Sequence, residues 1–244
     1  MKMEIKEKNI QVWNKQIEEG GYYYLDKNNK TRVFIEEHLT DLGTAIFPYE
    51  NLKGKKVLDI GCGIGNYTKE LSKYASKVIG IDPANKAIAY AKKHYSAPNL
   101  TFKVGNVYDI PFKDKYFDVA IVRALLHHLY HPDKALIELG RVSKIMLISE
   151  SNGINPYRQI VMRLSKGYKE VEEGAIPPKK LVKYINQAGF KIDKEIYGTF
   201  VPPISPDWML PFFKKLEAFV EKTFLIKYLG GTYIVLINEK NGND

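Results

Sequence analysis

Asp59 lies two residues ahead of the first of three glycines on alternate positions, Gly61, Gly63 and Gly65, and just after the apolar run Val57-Leu58. A turn built from such glycines leaves the backbone unobstructed by side chains. Asn66-Tyr67-Thr68 then opens an amphipathic helix, whose first N–H groups have no partner within the helix and aim into the bend. Residues of these types in this order can hold a nucleotide-type cofactor. The dinucleotide fingerprint G-x-G-x-x-G would need its third glycine at position 66, where the chain has Asn66. A carboxylate at the strand end repels a pyrophosphate and suits a cofactor that carries positive charge.

The stretch 56–68, KVLDIGCGIGNYT, resembles the first motif of the class I S-adenosyl-L-methionine (SAM)-dependent methyltransferases, especially the broad group acting on small molecules and lipids. SAM carries a sulfonium and an ammonium and no phosphate. The resemblance implies an α/β, Rossmann-like fold with a seven-stranded, mostly parallel sheet of order 3-2-1-4-5-7-6, helices on both faces and a helical cap. It also implies a division of roles. Asp59 and the turn (Gly61, Cys62, Gly63, Gly65) hold the methionine portion, Asp82 with Pro83 the ribose, and Asn106 with Val107 the adenine. Cys62 reads as a small filler of the turn rather than a nucleophile. Asp82 before Pro83 also suits a helix N-cap, and the two roles are compatible.

Past the fourth apolar run come Arg123 and Ala124, expected to line the methionine end of the cofactor, and then His127 and His128. An imidazole titrates near neutral pH and can take the acceptor's proton as the methyl arrives; a packing or capping histidine is the alternative. Tyr22 and Tyr23, after Gly20-Gly21, are the next candidates. With Tyr24 they either close a lid over the cofactor or simply pack an N-terminal helix. No metal site is expected, because His127, His128 and His131 lack an acid or cysteine at ligand spacing.

The elements that must position these residues follow from periodicity. Helical spacing of apolar residues over 1–50 predicts two helices, read as an N-terminal lid. From Lys55 onward, short apolar runs alternate with helices: strands 55–60, 77–82, 100–105, 116–122 and 144–149, helices 65–75, 84–94 and 131–142. That alternation indicates βαβ units and a parallel sheet, with ligands bound beyond the carboxyl ends of the strands. A helix after Pro177, a strand at 191–200 and a final strand at 232–238 complete the domain 51–244 as an antiparallel hairpin. Two inserts, 154–176 and 201–231, are read as cap. The second is larger than a hairpin needs, and its helix carries Phe212, Phe213, Leu216, Phe219, Val220 and Phe224. A cover over an apolar acceptor, a membrane-surface helix spanning 208–228 and an ordinary core-facing helix all fit that pattern.

Composition narrows the partners. The chain has 244 residues, one cysteine and a formal net charge of +9. Length favours one domain with additions, and the lone cysteine together with the charged start MKMEIKEKN fits a cytoplasmic protein. The excess of positive charge is concentrated in residues 51–150, with 16 basic and 9 acidic side chains, yet the lysines are dispersed as on solvated faces. Nucleic acid is therefore a disfavoured partner. The chain lacks an N/D-P-P-Y/F tetrapeptide after the fourth strand, a Pro-Cys nucleophile and a second glutamate beside Glu150. By elimination the acceptor is a small molecule, apolar or aromatic, or a lipid. A lipid-linked or RNA acceptor and a non-catalytic SAM- or RNA-binding module stand as alternatives, and oligomeric state is open.

Overall fold

A computed structural model describes residues 7–20, 22, 28–164, 174–203, 205–220, 223 and 226–240. Two helices come first, α1 (Glu7–Glu18) and α2 (Lys30–Ile46). Alternating elements follow: β1 (Lys56–Ile60), α3 (Asn66–Leu71), β2 (Lys77–Asp82), α4 (Asn85–His94), β3 (Leu100–Val104) and β4 (Phe117–Arg123). After them come α5 (Pro132–Val142), β5 (Ser143–Ser151), α6 (Pro156–Leu164), α7 (Pro178–Gln187), β6 (Phe190–Gly198), α8 (Leu210–Val220) and β7 (Thr232–Glu239). Seven strands form one sheet of order β3-β2-β1-β4-β5-β7-β6, the order the family resemblance implied. Strands β1 to β5 pair in parallel, and β7 runs antiparallel between β5 and β6.

The central strands are buried on both faces, which is why they read as continuous apolar runs rather than alternating ones. Side chains nonetheless divide by the period of two. Leu58, Ala120 and Val122 join Leu136, Leu139, Leu181 and Ile185 under α5 and α7. Val57, Val119 and Ile121 join Leu42, Ile46 and Phe47 of α2 and Leu71 of α3 on the other face. Each such side chain removed from water contributes about 1.5–3 kcal/mol. Helix α2 is thus a layer of the main core through Leu42 and Ile46, while Glu36 and Thr40 nearer its start lie at the strand ends with Trp13 and Ile17 of α1 and with Tyr22.

Helix α3 is shorter than its sequence pattern. It ends at Leu71, after which the backbone tightens: the Lys73 and Tyr74 N–H groups donate three residues back, to the Glu70 and Leu71 carbonyls. The second insert is anchored on α2. Asp207 accepts from the Lys30 and Thr31 N–H groups at the start of α2, beside its own N-cap Asn29. Glu217, buried on the inner side of α8, accepts from the Phe200 and Val201 N–H groups at 2.8–3.1 Å and lies 3.3 Å from the His38 ring on α2. Leu210, Val201 and Ile35 close this joint. Of the three readings of that helix, the core-facing one holds for its inner side. Phe224 lies outside the described residues.

Candidate functional site

Every strand that ends at the carboxyl edge of the parallel sheet delivers a residue to one cavity of about 1020 Å³. At β1 the chain leaves the sheet through Gly61 and Cys62, whose N–H groups both donate to the Ile81 carbonyl of β2. Gly63 follows with φ +52°, and a side chain there would come 3.2 Å from the Tyr22 hydroxyl. Its N–H donates to Asp82 Oδ2 at 2.9 Å, while the Ala84 N–H donates to Oδ1 at 2.8 Å. Asp82 therefore locks the turn and the start of α4 together. A carboxylate oxygen accepts more than one hydrogen bond, so the group retains acceptor capacity toward the cavity.

Asp59 is buried beneath the same turn and accepts from the Thr68 hydroxyl at 2.6 Å. Burial pushes both carboxyl groups up, to about 6 for Asp59 and about 6 for Asp82, with their hydrogen bonds opposing part of the rise. Two carboxyl groups strained this way by desolvation favour a ligand that brings hydroxyl donors or positive charge. Burial also raises the Cys62 thiol well above its ordinary range, which leaves it protonated and a poor nucleophile.

Gly65 and Asn106 stand behind the cavity lining. Gly65 does not line the cavity; a Cβ at that position would stand 2.7 Å from the Phe102 ring and 3.0 Å from Ala91 Cβ, so the glycine lets α3 and β3 close up. Asn106 is likewise off the lining. Its side-chain oxygen accepts from the Tyr108 N–H at 2.9 Å and shapes the turn, and the neighbours Gly105 and Val107 reach the cavity instead.

The cavity's other half follows β4 and β5. Arg123 donates to Glu36 of α2 at 3.0 Å and stacks over the Tyr67 ring, its guanidinium carbon 4.1 Å from the centroid. Ala124 holds φ +49°, a left-handed conformation unusual for a residue with a side chain, and its N–H donates to Ser149 of β5. This bend carries the chain into Leu125–His128. Glu150, the next-to-last residue of β5, receives it: Oε1 accepts from the Leu125 and Leu126 N–H groups at 2.9 and 2.7 Å, and Oε2 lies 2.6 Å from His127 Nδ1. Both side chains of that pair are about 1% exposed. The geometry suits Nδ1 as donor to Oε2, which leaves Nε2, itself buried, as the other ring nitrogen.

The His128 ring lies tilted against His127 at 4.0 Å between centroids and meets Trp13 of α1 in a T-shaped contact at 5.0 Å. Tyr22 packs with Ile10 and Ile17 against Ile64, Ala84 and Ala87, and Asn14 of α1 accepts from the Lys86 N–H in the first turn of α4. Burial, with Asp82 next, drives its hydroxyl pKa far up, so it stays protonated. Tyr23 and Tyr24 lie outside the described residues. Among the described residues, no cluster of three or more His, Cys, Asp or Glu could hold a metal ion. The pairing of His127 with Glu150 is a contact inside the cavity that motif reading missed. Its signal was available: β4 and β5 are neighbours, so residues just past one strand meet the last residues of the next.

The residues present fit an adenosyl cofactor that bears a cation: a side-chain-free bend, a buried acceptor at the end of β2 and a second buried carboxyl below. Comparison with known proteins agrees. A family model described as "Methyltransferase domain" matches residues 58–145. An uncharacterized methyltransferase of Schizosaccharomyces pombe is 35% identical over 103 residues, 38% of this chain and 37% of that protein. The mitochondrial ubiquinone biosynthesis O-methyltransferase of Mus musculus is 26% identical over 210 residues, covering 78% of this chain and 56% of that protein. The chain thus spans roughly a third to a little over half of the length of these relatives. Among solved structures, a SAM-dependent methyltransferase of Thermotoga maritima superposes with a TM-score of 0.68 at 16% identity, over 94% of this chain and 99% of that one. That likeness is one of fold.

Proposed function

We propose that this chain, whose residues 58–145 form a class I SAM-dependent methyltransferase domain, transfers the SAM methyl group to a hydroxyl oxygen of a small apolar or aromatic acceptor. The observation that carries the choice of oxygen is the His127–Glu150 pair, built into the same cavity as the glycine turn. Bound SAM supplies an electrophilic methyl on a good leaving group, so the reaction is an in-line displacement limited by positioning and by exclusion of water.

The chain's own residues supply the rest. Asp82 accepts from the ribose hydroxyls, as it already accepts from Gly63 and Ala84. Asp59 and the turn hold the cationic methionine end, with the buried carboxyl gaining from the neighbouring positive charge. Asn106 shapes the adenine end through its turn while Val107 supplies the wall. Tyr22 and α1 close over Gly63 and keep water out. His127 Nε2 takes the acceptor's hydroxyl proton as the carbon–oxygen bond forms and the carbon–sulfur bond breaks. Glu150 fixes the ring's tautomer and stabilises the imidazolium, and two backbone N–H groups hold Glu150 in turn. The acceptor enters from the side of Leu125, Phe200 and Val201, which makes that wall apolar. The mouse relative's name, an O-methyltransferase of ubiquinone biosynthesis, supports the same acceptor chemistry.

Incubation with deuteromethyl-SAM and a set of phenols and catechols, followed by tandem mass spectrometry, tests this reading. Label on oxygen in the wild type and its loss in His127→Ala are expected. Label on nitrogen or carbon, or an undiminished rate in His127→Ala, would overturn it.

A further inference from the structure

Helix α8 and the short turn before it expose a continuous apolar stripe that the rest of the fold does not cover. Trp208 is 78% exposed, Phe212 61%, Phe219 66% and Leu216 37%. At a rotation of about 100° per residue these four fall within an arc of roughly 80°, and Lys215 lies about 20° beyond one edge of it. The opposite side of the helix is spent on the fold: Leu210 and Val220 are buried, and Glu217, its only carboxylate, is turned inward onto the Phe200 and Val201 N–H groups. Among the described residues the outer side therefore presents three rings and a leucine, with Lys215 at its edge and no acid.

Helix α6 repeats the pattern. Ile160 is 57% exposed and Leu164 74%, Arg163 is exposed beside them, and the helix contains no acidic residue. Tyr157 and Arg158 of α6 line the cavity, and so do Phe200–Pro203, whose Phe200 and Val201 N–H groups hold Glu217 of α8.

We propose that the outer faces of α8 and α6 rest on an anionic lipid surface, so that the cavity mouth opens toward the bilayer. The charge decides the occupant. A contact between two copies sets a face against itself and would bring Lys215 near its own like charge with no acid to meet it, whereas a helix lying in a membrane interface combines bulky apolar side chains with flanking cations. The chain's net charge of +9 adds long-range attraction to anionic headgroups. Contact is interfacial, since no helix among the described residues is long and apolar enough to cross a membrane. Only the nature of what enters the cavity, a lipid-like hydroxyl compound, rests on the methyl-transfer reading.

Docking is measured on the full chain without cofactor or acceptor, by flotation with vesicles of phosphatidylcholine alone and with about one third phosphatidylglycerol. Binding to the mixed vesicles, a blue shift of Trp208 emission and weakening at high salt are expected. Phe212→Ser with Phe219→Ser should reduce binding at least about tenfold, and Lys215→Glu about tenfold, with an unchanged thermal melt in each case. Absence of binding to the mixed vesicles would overturn the proposal. So would a concentration-dependent dimer in sedimentation that the same double variant abolishes, which would make the face a contact between copies. Methyl transfer to a water-soluble phenol by the double variant separates the two readings: its survival beside lost docking confirms that the stripe serves the membrane rather than the chemistry.

Discussion

The two halves of the cavity are built by different means. Beyond β1 and β2, backbone does the work: a bend without side chains, two N–H groups on Asp82, and carboxyl groups whose burial leaves them in want of a ligand. Beyond β4 and β5, pairs of charged or polar side chains do it, with His127 on Glu150, Arg123 on Glu36, and Glu217 beside His38. A backbone cradle suits a ligand that never varies, because any side chain at Gly63 would meet Tyr22. Side-chain pairs can be exchanged one at a time, which suits an acceptor site that differs from one protein of this fold to the next. Unusual backbone occurs on the second side as well: Ala124 and Thr199 both hold left-handed φ angles, and both line the cavity. Left-handed backbone in a β-branched residue such as Thr199 is held only where surrounding contacts enforce it, here the bond between the Thr199 and Thr232 hydroxyls.

If the halves are independent, variants should separate them. His127→Ala is expected to lower kcat about a thousandfold while leaving S-adenosyl-L-homocysteine affinity within about threefold, read by steady-state kinetics and calorimetry. Asp82→Ala should do the opposite first, weakening S-adenosyl-L-homocysteine about a hundredfold through lost charge-assisted hydrogen bonds. Loss of cofactor affinity in His127→Ala would dissolve the distinction. Glu217→Ala strips two backbone N–H groups of their acceptor, at a cost of about 2 kcal/mol or a Tm fall of roughly 4–8 °C, and should raise the acceptor KM more than the cofactor Kd.

The smallest effect is one of pH. Asp59 and Asp82 have folded-state pKa values raised to about 6, so their contribution to stability is fully present below the ordinary carboxylate pKa and is lost as pH rises through about 6. Ionised Asp82 is the form that accepts from a ribose. Cofactor affinity should therefore run the other way and fall about tenfold between pH 7.5 and pH 5, with a midpoint near 6. A flat affinity profile across that range would remove Asp82 from the cofactor half.

The same contrast explains what was legible in the sequence. Glycines on alternate positions and a carboxylate at a strand end are local patterns, so the bend, Asp59 and Asp82 could be read from short stretches. So could the strands, whose unbroken apolar runs reflect burial on both faces. Gly65 was read as a ligand contact although its lack of a side chain serves Phe102 and Ala91, because local spacing cannot say what approaches from a distant strand. Nor does local spacing say that the Asn106 side chain satisfies its own turn. Glu150, Glu36 and Glu217 act on residues 16 to 87 positions away, and only the register of β4 on β5 and the docking of α8 on α2 bring them into place. Asp207 is of that kind too, capping α2 from the far end of the chain.

The claim on which the rest depends is that the bend holds a cationic sulfur nucleoside rather than a phosphorylated one. Isothermal titration of the wild-type chain and Asp82→Ala with SAM and, separately, with NADH tests it directly. Wild-type binding of SAM, lost in the variant, with no heat from NADH is the expected result. Binding of NADH in place of SAM would contradict it.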